Sequence, residues 1–376
     1  MPTTLNITID ISPIVYKRGV SFYTTNLVSA LLRQNDVKIS AFGSSLRQQP
    51  MLRKFIEEHK KLSNSKVLPL PPSIWPTLWY QLSWPPIESI IEKTDVYHAW
   101  EELIPPASTV PIVATIHDLA ILKFPETAHP STLSKHQAAW KRLKQTDSHV
   151  IAVSHATKKD VIELLGFKPE KVHLVYEALP AEHQLSLSRE EQDALLKKVN
   201  ISKPFILFVG SLEPRKNVER LVEAWRPFQK EYDLVIAGKT QWGVEIDPET
   251  EGLHLLGGVG NKTLTTLFKN AKVFAYPSLY EGFGLPILEA FSYRTPVLTS
   301  QNSAMSEISG IAAKLIDPLE VESIRTGLEQ LLNEDSSERE HRRQAMKLQL
   351  QLFNWDTTAE KTIKVYRRAV EERATI

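Results

Sequence analysis

Glu281 and Glu289 stand on either side of the glycine turn Gly282-Phe283-Gly284, which runs into Leu285-Pro286-Ile287-Leu288. Pro286 suits a first helical position, where its missing N–H costs nothing and its fixed φ fits. Glu281 is then expected on the loop ahead of a helix, and Glu289 in its first turn or so. Backbone N–H groups from about Phe283 to Ile287 would leave that helix start unpaired, where the dipole favours an anion. Gly282 and Gly284 have no Cβ, so a ligand can approach the backbone closely. The segment offers an anion seat between two hydrogen-bond acceptors. A phosphorylated sugar asks for that combination: donors for the phosphate, carboxylates for the hydroxyls. The plainer alternative is a helix start with one surface and one capping glutamate.

A second segment lies in the same half of the chain. Phe205-Ile206-Leu207-Phe208-Val209 is a short apolar run ended by Gly210 and reads as a buried strand. Ser211-Leu212-Glu213-Pro214-Arg215-Lys216-Asn217 follows, and Val218, Leu221, Val222 and Trp225 then mark an amphipathic helix. Arg215 and Lys216 are therefore expected where the carboxyl end of a strand turns into a helix, the edge at which open α/β sheets bind ligands. Two adjacent cations suit a diphosphate, arginine as a planar fork and lysine as a mobile point charge. Cations at a helix N-terminus oppose its dipole, which favours a ligand over a merely solvated turn.

Together these segments resemble the retaining glycosyltransferases of family 4, which have the two-domain GT-B architecture. The resemblance rests on Val209-Gly210-Ser211 through Arg215-Lys216-Asn217, Ala237-Gly238-Lys239, Tyr276-Pro277-Ser278, Glu281 through Glu289-Ala290, Pro296-Val297-Leu298 and Glu307-Ile308. It runs from about residue 5 to about residue 370 and is specific from 205 to 310. It implies an α/β fold of two facing Rossmann-like domains with a deep interdomain cleft. It also implies transfer of a sugar from a nucleotide diphosphate to a glycan or lipid-linked glycan, as in surface-polysaccharide assembly by mannosyl- and rhamnosyltransferases. No cofactor and no metal are expected. The GDP-, UDP- or dTDP-sugar is a substrate.

The resemblance assigns roles residue by residue. Arg215, Lys216 and the helix start at Phe283, Gly284 and Leu285 would stabilise the departing diphosphate, with Gly210 and Lys239 also on the donor side. Glu281 would orient donor-sugar hydroxyls and stabilise positive charge at the anomeric carbon. Glu289 would bind the ribose, and Leu256 to Val259 would line the base pocket. Retention by double displacement needs a carboxylate nucleophile close behind the anomeric centre. The sequence singles none out, and the family is thought to proceed by same-face attack.

His117 and Asp118 close the run Ile112-Val113-Ala114-Thr115-Ile116, so His117 is expected at a strand end. A satisfied turn histidine is the ordinary alternative; the family's His-Asp pair at this place implies a catalytic one. It would bond a sugar hydroxyl or steady charge at the anomeric centre. Gly19, in Tyr16-Lys17-Arg18-Gly19-Val20, would let backbone N–H groups reach the diphosphate. Many relatives carry paired glycines there, whereas this chain has Arg18-Gly19.

The chain has 376 residues, 45 basic and 44 acidic, for a net charge of +1, which makes no electrostatic case for nucleic acid. It has no cysteine, so disulfides, thiolate metal sites and a cysteine nucleophile are excluded. The other histidines show no metal-site spacing. No leader and no membrane span are visible, so a cytoplasmic protein is expected, with peripheral attachment to the inner membrane face left open. Trp75, Trp79 and Trp84, with Trp140 and its basic neighbours Lys135, Lys141, Arg142 and Lys144, are a candidate membrane face. Core and acceptor-side packing is the favoured reading of these aromatics.

The elements that must position these residues alternate along the chain. Strands are expected at Leu5–Ile11, Val37–Phe42, Val67–Leu70, Asp95–Ala99, Ile112–Ile116, His149–Val153 and Lys171–Val175. The second half repeats them at Phe205–Val209, Leu234–Ala237, His254–Leu256, Val273–Tyr276, Val297–Ser300 and Lys314–Ile316. A helix is expected from about Phe22 to Arg33. The pattern argues for parallel sheets covered by helices. Residues 1–178 would form the acceptor-side domain, 179–200 a linker with a short helix, and 201–355 the nucleotide-sugar domain. A final helix over 356–376, with Ala359, Ile363, Tyr366 and Val370 on one face, would pack back on the first domain. Two further readings stand beside the transferase: a nucleotide-sugar epimerase on the same architecture, and a catalytically lapsed binding or scaffold protein.

Overall fold

The computed structural model describes residues 4–16, 19–127, 130–180, 185–239 and 243–374. Lys17 and Arg18, part of the first glycine turn, lie outside the described residues. The chain divides into two units, Met1–Pro180 with Asn354–Ile376, and Ala181–Phe353.

The first unit holds a seven-stranded sheet in the order β3-β2-β1-β4-β5-β6-β7. Its strands are β1 (Leu5–Asp10), β2 (Val37–Ser44), β3 (Lys66–Leu68), β4 (Val96–Ala99), β5 (Ile112–Ile116), β6 (His149–Ala152) and β7 (Val172–Leu174). Every pairing is parallel. β3 stops at Leu68 rather than running to Leu70, because Pro69 has no N–H to give the ladder. β5 is buried throughout, as expected of a parallel strand covered on both faces.

The helix Trp355–Ala374 belongs to this unit and lies against the helix Gly19–Leu31. It buries Trp355, Ala359, Thr362, Ile363, Tyr366 and Ala369. Val370 is only half-buried, since the stripe of a straight helix drifts with its 3.6-residue period. A buried polar chain fastens the helix. Tyr366 Oη lies 2.5 Å from His98 Nδ1, His98 Nε2 is 3.0 Å from Thr115 Oγ1, and Tyr23 Oη is 2.9 Å from the same hydroxyl. Burial, with the His117 charge nearby, lowers His98 to about 3, so this imidazole is neutral, with one ring nitrogen donating and the other accepting.

The second unit holds a six-stranded sheet in the order β10-β9-β8-β11-β12-β13. These are β8 (Phe205–Val209), β9 (Asp233–Ala237), β10 (Leu253–Gly257), β11 (Val273–Tyr276), β12 (Val297–Ser300) and β13 (Lys314–Ile316), again all parallel. The helix Arg189–Lys198, expected within a linker, is part of this unit. Ser188 and Glu191 close a capping box at its start, and Gln192 accepts from Asn270 of the helix Asn261–Asn270. In both units strand order reverses once, at β1/β4 and at β8/β11. A doubly wound sheet opens a crevice at such a point, beyond the carboxyl ends of the strands. Among the described residues no helix is long and apolar enough to cross a membrane.

Candidate active site

The β8/β11 reversal carries the larger charged cluster. After β8 the chain passes through Gly210 into a 3-10 turn, Pro214–Lys216, and Asn217 follows in the left-handed region at φ 59°. The helix Val218–Trp225 starts only after that residue. Asn217 Nδ2 donates to Pro277 O at 3.0 Å and to Pro318 O at 2.6 Å, and Leu279 N–H donates to Arg215 O at 2.7 Å. These bonds stitch the loop after β8 to the loops after β11 and β13. β9 approaches from the other side. A Cβ at Gly238 would fall 1.6 Å from Gly210 O, so only glycine lets the two strand ends meet.

Stitching brings Arg215, Lys216 and Glu281 together. Lys216 Nζ donates to Glu281 Oε1 at 2.6 Å and to Tyr276 Oη at 2.7 Å. Arg215 Nη1 donates to Glu281 Oε2 and to Tyr280 O, each at 3.0 Å, and its Nη2 lies 3.0 Å from Glu213 Oε1. Ser303 Oγ donates to Glu281 O at 2.5 Å and accepts from Glu281 N–H at 3.2 Å, which fixes the backbone behind the carboxylate. Lys216 and Glu281 are both buried. Burial alone would raise Glu281, but Lys216 and Arg215 outweigh it and lower the carboxyl to about 2. Burial depresses Lys216 below an ordinary lysine, and the Glu281 carboxylate opposes that.

This geometry corrects one part of the sequence argument. The two cations sit in the 3-10 turn rather than on the helix start, and Glu213 and Glu281 already meet their charge. Unfavourable placement against a helix dipole is thus no argument for a ligand. What argues for one is the concentration of fixed donors at the sheet's switch point.

The helix after β11 spans Leu285–Ser292 with Gly284 ahead of it at φ 109°, a conformation that favours glycine. Pro286 occupies its second position, and Glu289 falls in the second turn rather than the first. The expected run of unpaired N–H groups is shorter than 283–287. Ile287 N–H donates to Gly284 O at 2.9 Å, and Pro286 has none, while Gly284 and Leu285 N–H make no hydrogen bond among the described residues. The Phe283 ring packs edge-on against Phe353 at 5.7 Å, so it serves the core. Glu289 is half-buried and its carboxylate has no hydrogen-bond partner among the described residues; burial raises it to about 7. Lys239, exposed beyond β9, lies over Gly258, and Val259 is half-buried beyond β10. Gly210, Arg215, Lys216, Lys239, Val259, Glu281, Gly284 and Glu289 all follow carboxyl ends of strands in this one sheet.

In the first unit His117 follows β5. Its Nδ1 lies 2.7 Å from Glu177 Oε1, its backbone N–H donates to Glu101 Oε2 at 3.1 Å, and the Tyr23 ring meets the imidazole edge-on at 4.7 Å. Burial would lower His117, but Glu177, then Glu101 and Asp118, raise it to about 9. The imidazole is a cation at neutral pH, which removes the expectation that it steadies positive charge at an anomeric centre. Asp118 accepts from Ala120 N–H at 2.8 Å and so caps the local turn. Glu177 escaped the sequence reading, although it lies just past a recognised strand, where the edge argument applies. Gly19 opens its helix, and no atom of the described residues lies near its missing Cβ, so packing among them does not require glycine there.

Trp75, Trp79 and Trp140 are core residues, whereas Leu82 and Trp84 are each 63% exposed. Among the described residues no group of three or more His, Asp or Glu gathers as a metal site.

Two family profiles match the chain, Glycosyltransferase Family 4 over residues 17–183 and Glycosyl transferases group 1 over residues 191–348. The O-antigen chain mannosyltransferase B of Escherichia coli is 30% identical over 270 residues, 68% of this chain and 70% of that protein. The serotype-specific mannosyltransferase WbdA of Escherichia coli is 28% identical over 285 residues, 71% of this chain but only 35% of the relative's length. Among solved structures, Anabaena HepE in complex with UDP and glucose superposes with a TM-score of 0.68 at 16% identity, covering 97% of this chain and 100% of that one.

Proposed function

The chain belongs to the glycosyltransferases of family 4, and from that premise we propose that it moves mannose from a nucleotide diphosphate to a growing surface glycan, retaining the anomeric configuration and using no metal. The observation that carries this reading is the Arg215–Lys216–Glu281 cluster at the β8/β11 switch point, with the half-buried Glu289 on the next helix. Mannose is the sugar named for the relatives described above. A nucleotide sugar as donor fits a neighbour solved with UDP and glucose.

In the proposed reaction the bond between the anomeric carbon and the β-phosphate oxygen breaks, and its electron pair goes to the diphosphate. Arg215, Lys216 and the N–H groups of Gly284 and Leu285 hold that growing charge in place, the largest electrostatic contribution the site can make. The acceptor hydroxyl attacks the same face of the sugar and gives its proton to the departing phosphate oxygen. Glu281 is held by Lys216 and Arg215, which suits it to orienting donor hydroxyls rather than to attacking the anomeric carbon. Glu289 receives the two ribose hydroxyls. Fixed cations do here what a divalent ion does elsewhere. His117, held cationic by Glu177, donates to an oxygen of the bound substrates. Exposed Leu82 and Trp84 support a lipid-linked acceptor met at a membrane surface.

The test is nucleoside diphosphate release from a panel of GDP-, UDP- and dTDP-sugars, with and without a glycan acceptor mixture, in EDTA. Release from one mannose donor, increased by acceptor, with an α-configured product from an α-configured donor, is expected. Hydrolysis or transfer that requires added Mg²⁺, or an inverted product, would refute the mechanism.

A further inference from the structure

The active-site cluster uses only the carboxyl edge of the second sheet. At the amino edge, where β11 and β12 begin, lies a groove of about 610 Å³. Its described lining carries Arg189, Lys269, Lys272, Arg294, Arg339, Arg342 and Arg343 and no carboxylate. The chain as a whole is balanced, 45 cations to 44 acids, so composition does not account for this segregation.

Four of the cations are engaged. Arg342 pairs with buried Glu334, Arg343 with Glu340 and Arg189 with Asp193, while Lys269 donates to Leu185 O. Lys272, Arg294 and Arg339 have no side-chain partner among the described residues. They come from three elements: the turn before β11, the end of the helix Leu285–Ser292, and the helix Ser336–Gln351.

Arg294 stands out on backbone grounds as well. The helix closes with Arg294 N–H donating to Phe291 O at 2.9 Å and Thr295 N–H to Ala290 O at 3.0 Å, a Schellman ending with Arg294 at φ 61°. Glycine is the easy residue for that position, and a side chain there strains the backbone. The chain instead places a charged fork there, in a concavity that is already positive.

We propose that this groove binds a ligand bearing two or more phosphates, held by Lys272, Arg294 and Arg339 apart from the donor seat. A concave surface of one sign focuses its field and concentrates counter-ions. Guanidinium forks match phosphate oxygens two at a time. β11 separates the two sheet edges by about 13 Å at roughly 3.3 Å per residue, so both places can be filled together. A free polyphosphate and the phosphates of an anionic lipid headgroup offer the same chemistry.

Calorimetric titration of the full chain with inorganic tripolyphosphate tests the site without relying on any glycosyltransferase activity. The proteins compared are wild type, Arg294→Gly/Arg339→Ser, and Arg215→Ala/Lys216→Ala. Affinity should fall about tenfold or more in the groove variant, two charge-assisted contacts being lost, and persist in the donor-seat variant. Since Arg294→Gly relieves the left-handed backbone, its Tm should not drop on that account, which separates lost binding from lost folding. Unchanged affinity in the groove variant, or loss only in the donor-seat variant, overturns the proposal. Sedimentation with cardiolipin-containing vesicles, whose headgroup carries two phosphates, against pure phosphatidylcholine vesicles identifies the source. Anionic-vesicle binding that depends on Arg294 and Arg339 assigns the lipid headgroup; tripolyphosphate binding without it assigns a soluble ligand.

Discussion

Lys216 Nζ and Glu281 Oε1 meet at 2.6 Å across 65 positions of chain, and both side chains are about nine-tenths buried. Neither charge has water to fall back on, so each depends on the other and on Arg215. A buried pair of this kind contributes little net stability compared with a well-packed apolar pair, but breaking it leaves an uncompensated charge.

Lys216→Ala is therefore expected to destabilise the protein by about 3 kcal/mol and to cut transfer at least a hundredfold. Lys216→Met combined with Glu281→Gln should recover most of the stability and none of the activity. Urea unfolding and turnover measured together decide this; a double variant with normal turnover would contradict the assignment. Glu281 also sets an acid limit. Its folded value, about 2, lies below the ~4.3 of an unfolded glutamate. Its stabilisation is thus complete above that unfolded value and is lost as pH falls through about 2.

His117 gives the opposite sign. Its folded value of about 9 exceeds the ~6.5 of a free histidine, so the His117–Glu177 pair stabilises the fold fully below pH 6.5 and loses that contribution as pH rises through 9. Glu177→Gln should lower the His117 titration and move the alkaline loss of stability towards neutrality. Histidine ring resonances followed by NMR report it directly. An unmoved His117 titration in the variant would show that Glu177 is not the cause.

The proposed placing of the ribose on Glu289 links nucleotide binding to protons. Burial holds its carboxyl near 7, while two ribose hydroxyls donating together favour the ionised form, which accepts with both oxygens. Nucleoside diphosphate binding should release a proton below about pH 7, and affinity should weaken as pH falls. Glu289→Gln should flatten that dependence. Calorimetry in buffers of different ionisation heat measures the proton count, and zero release at pH 6 would place the ribose elsewhere.

Two glycines of the resemblance should behave differently. Gly238→Ala drives a Cβ onto Gly210 O at 1.6 Å, so the β8 and β9 ends must separate, at a cost of several kcal/mol. Gly19→Ala meets no atom of the described residues at a helix start and should be neutral or slightly stabilising. Thermal unfolding of the two single variants is the check, and equal Tm values would contradict the packing.

The strands were legible because parallel strands covered on both faces are short apolar runs, and Phe205–Val209, Val273–Tyr276 and Ile112–Ile116 were placed to the residue. The strand-end rule then located Arg215, Lys216 and His117 at carboxyl edges, and the glycine turn ahead of a helix located Glu281. Pairing was not legible. That Glu281 faces Lys216 rather than standing free, and that Glu177 reaches His117 across 60 positions, follows from loops meeting in space. No local pattern encodes either contact.

The sequence by itself determined which side chains could do chemistry and at which sheet edge they would lie, since strand, turn and helix are set by neighbours a few residues away. The tertiary structure decided their charge. His98 on β4 and His117 just past the neighbouring β5, nineteen positions apart, end with opposite protonation, one lowered to about 3 and the other raised to about 9. Burial lowers both, but at His98 the neighbouring His117 charge adds to it, whereas at His117 the carboxylates of Glu177, Glu101 and Asp118 outweigh it. A buried group takes its charge from what surrounds it, and only the folded chain specifies that.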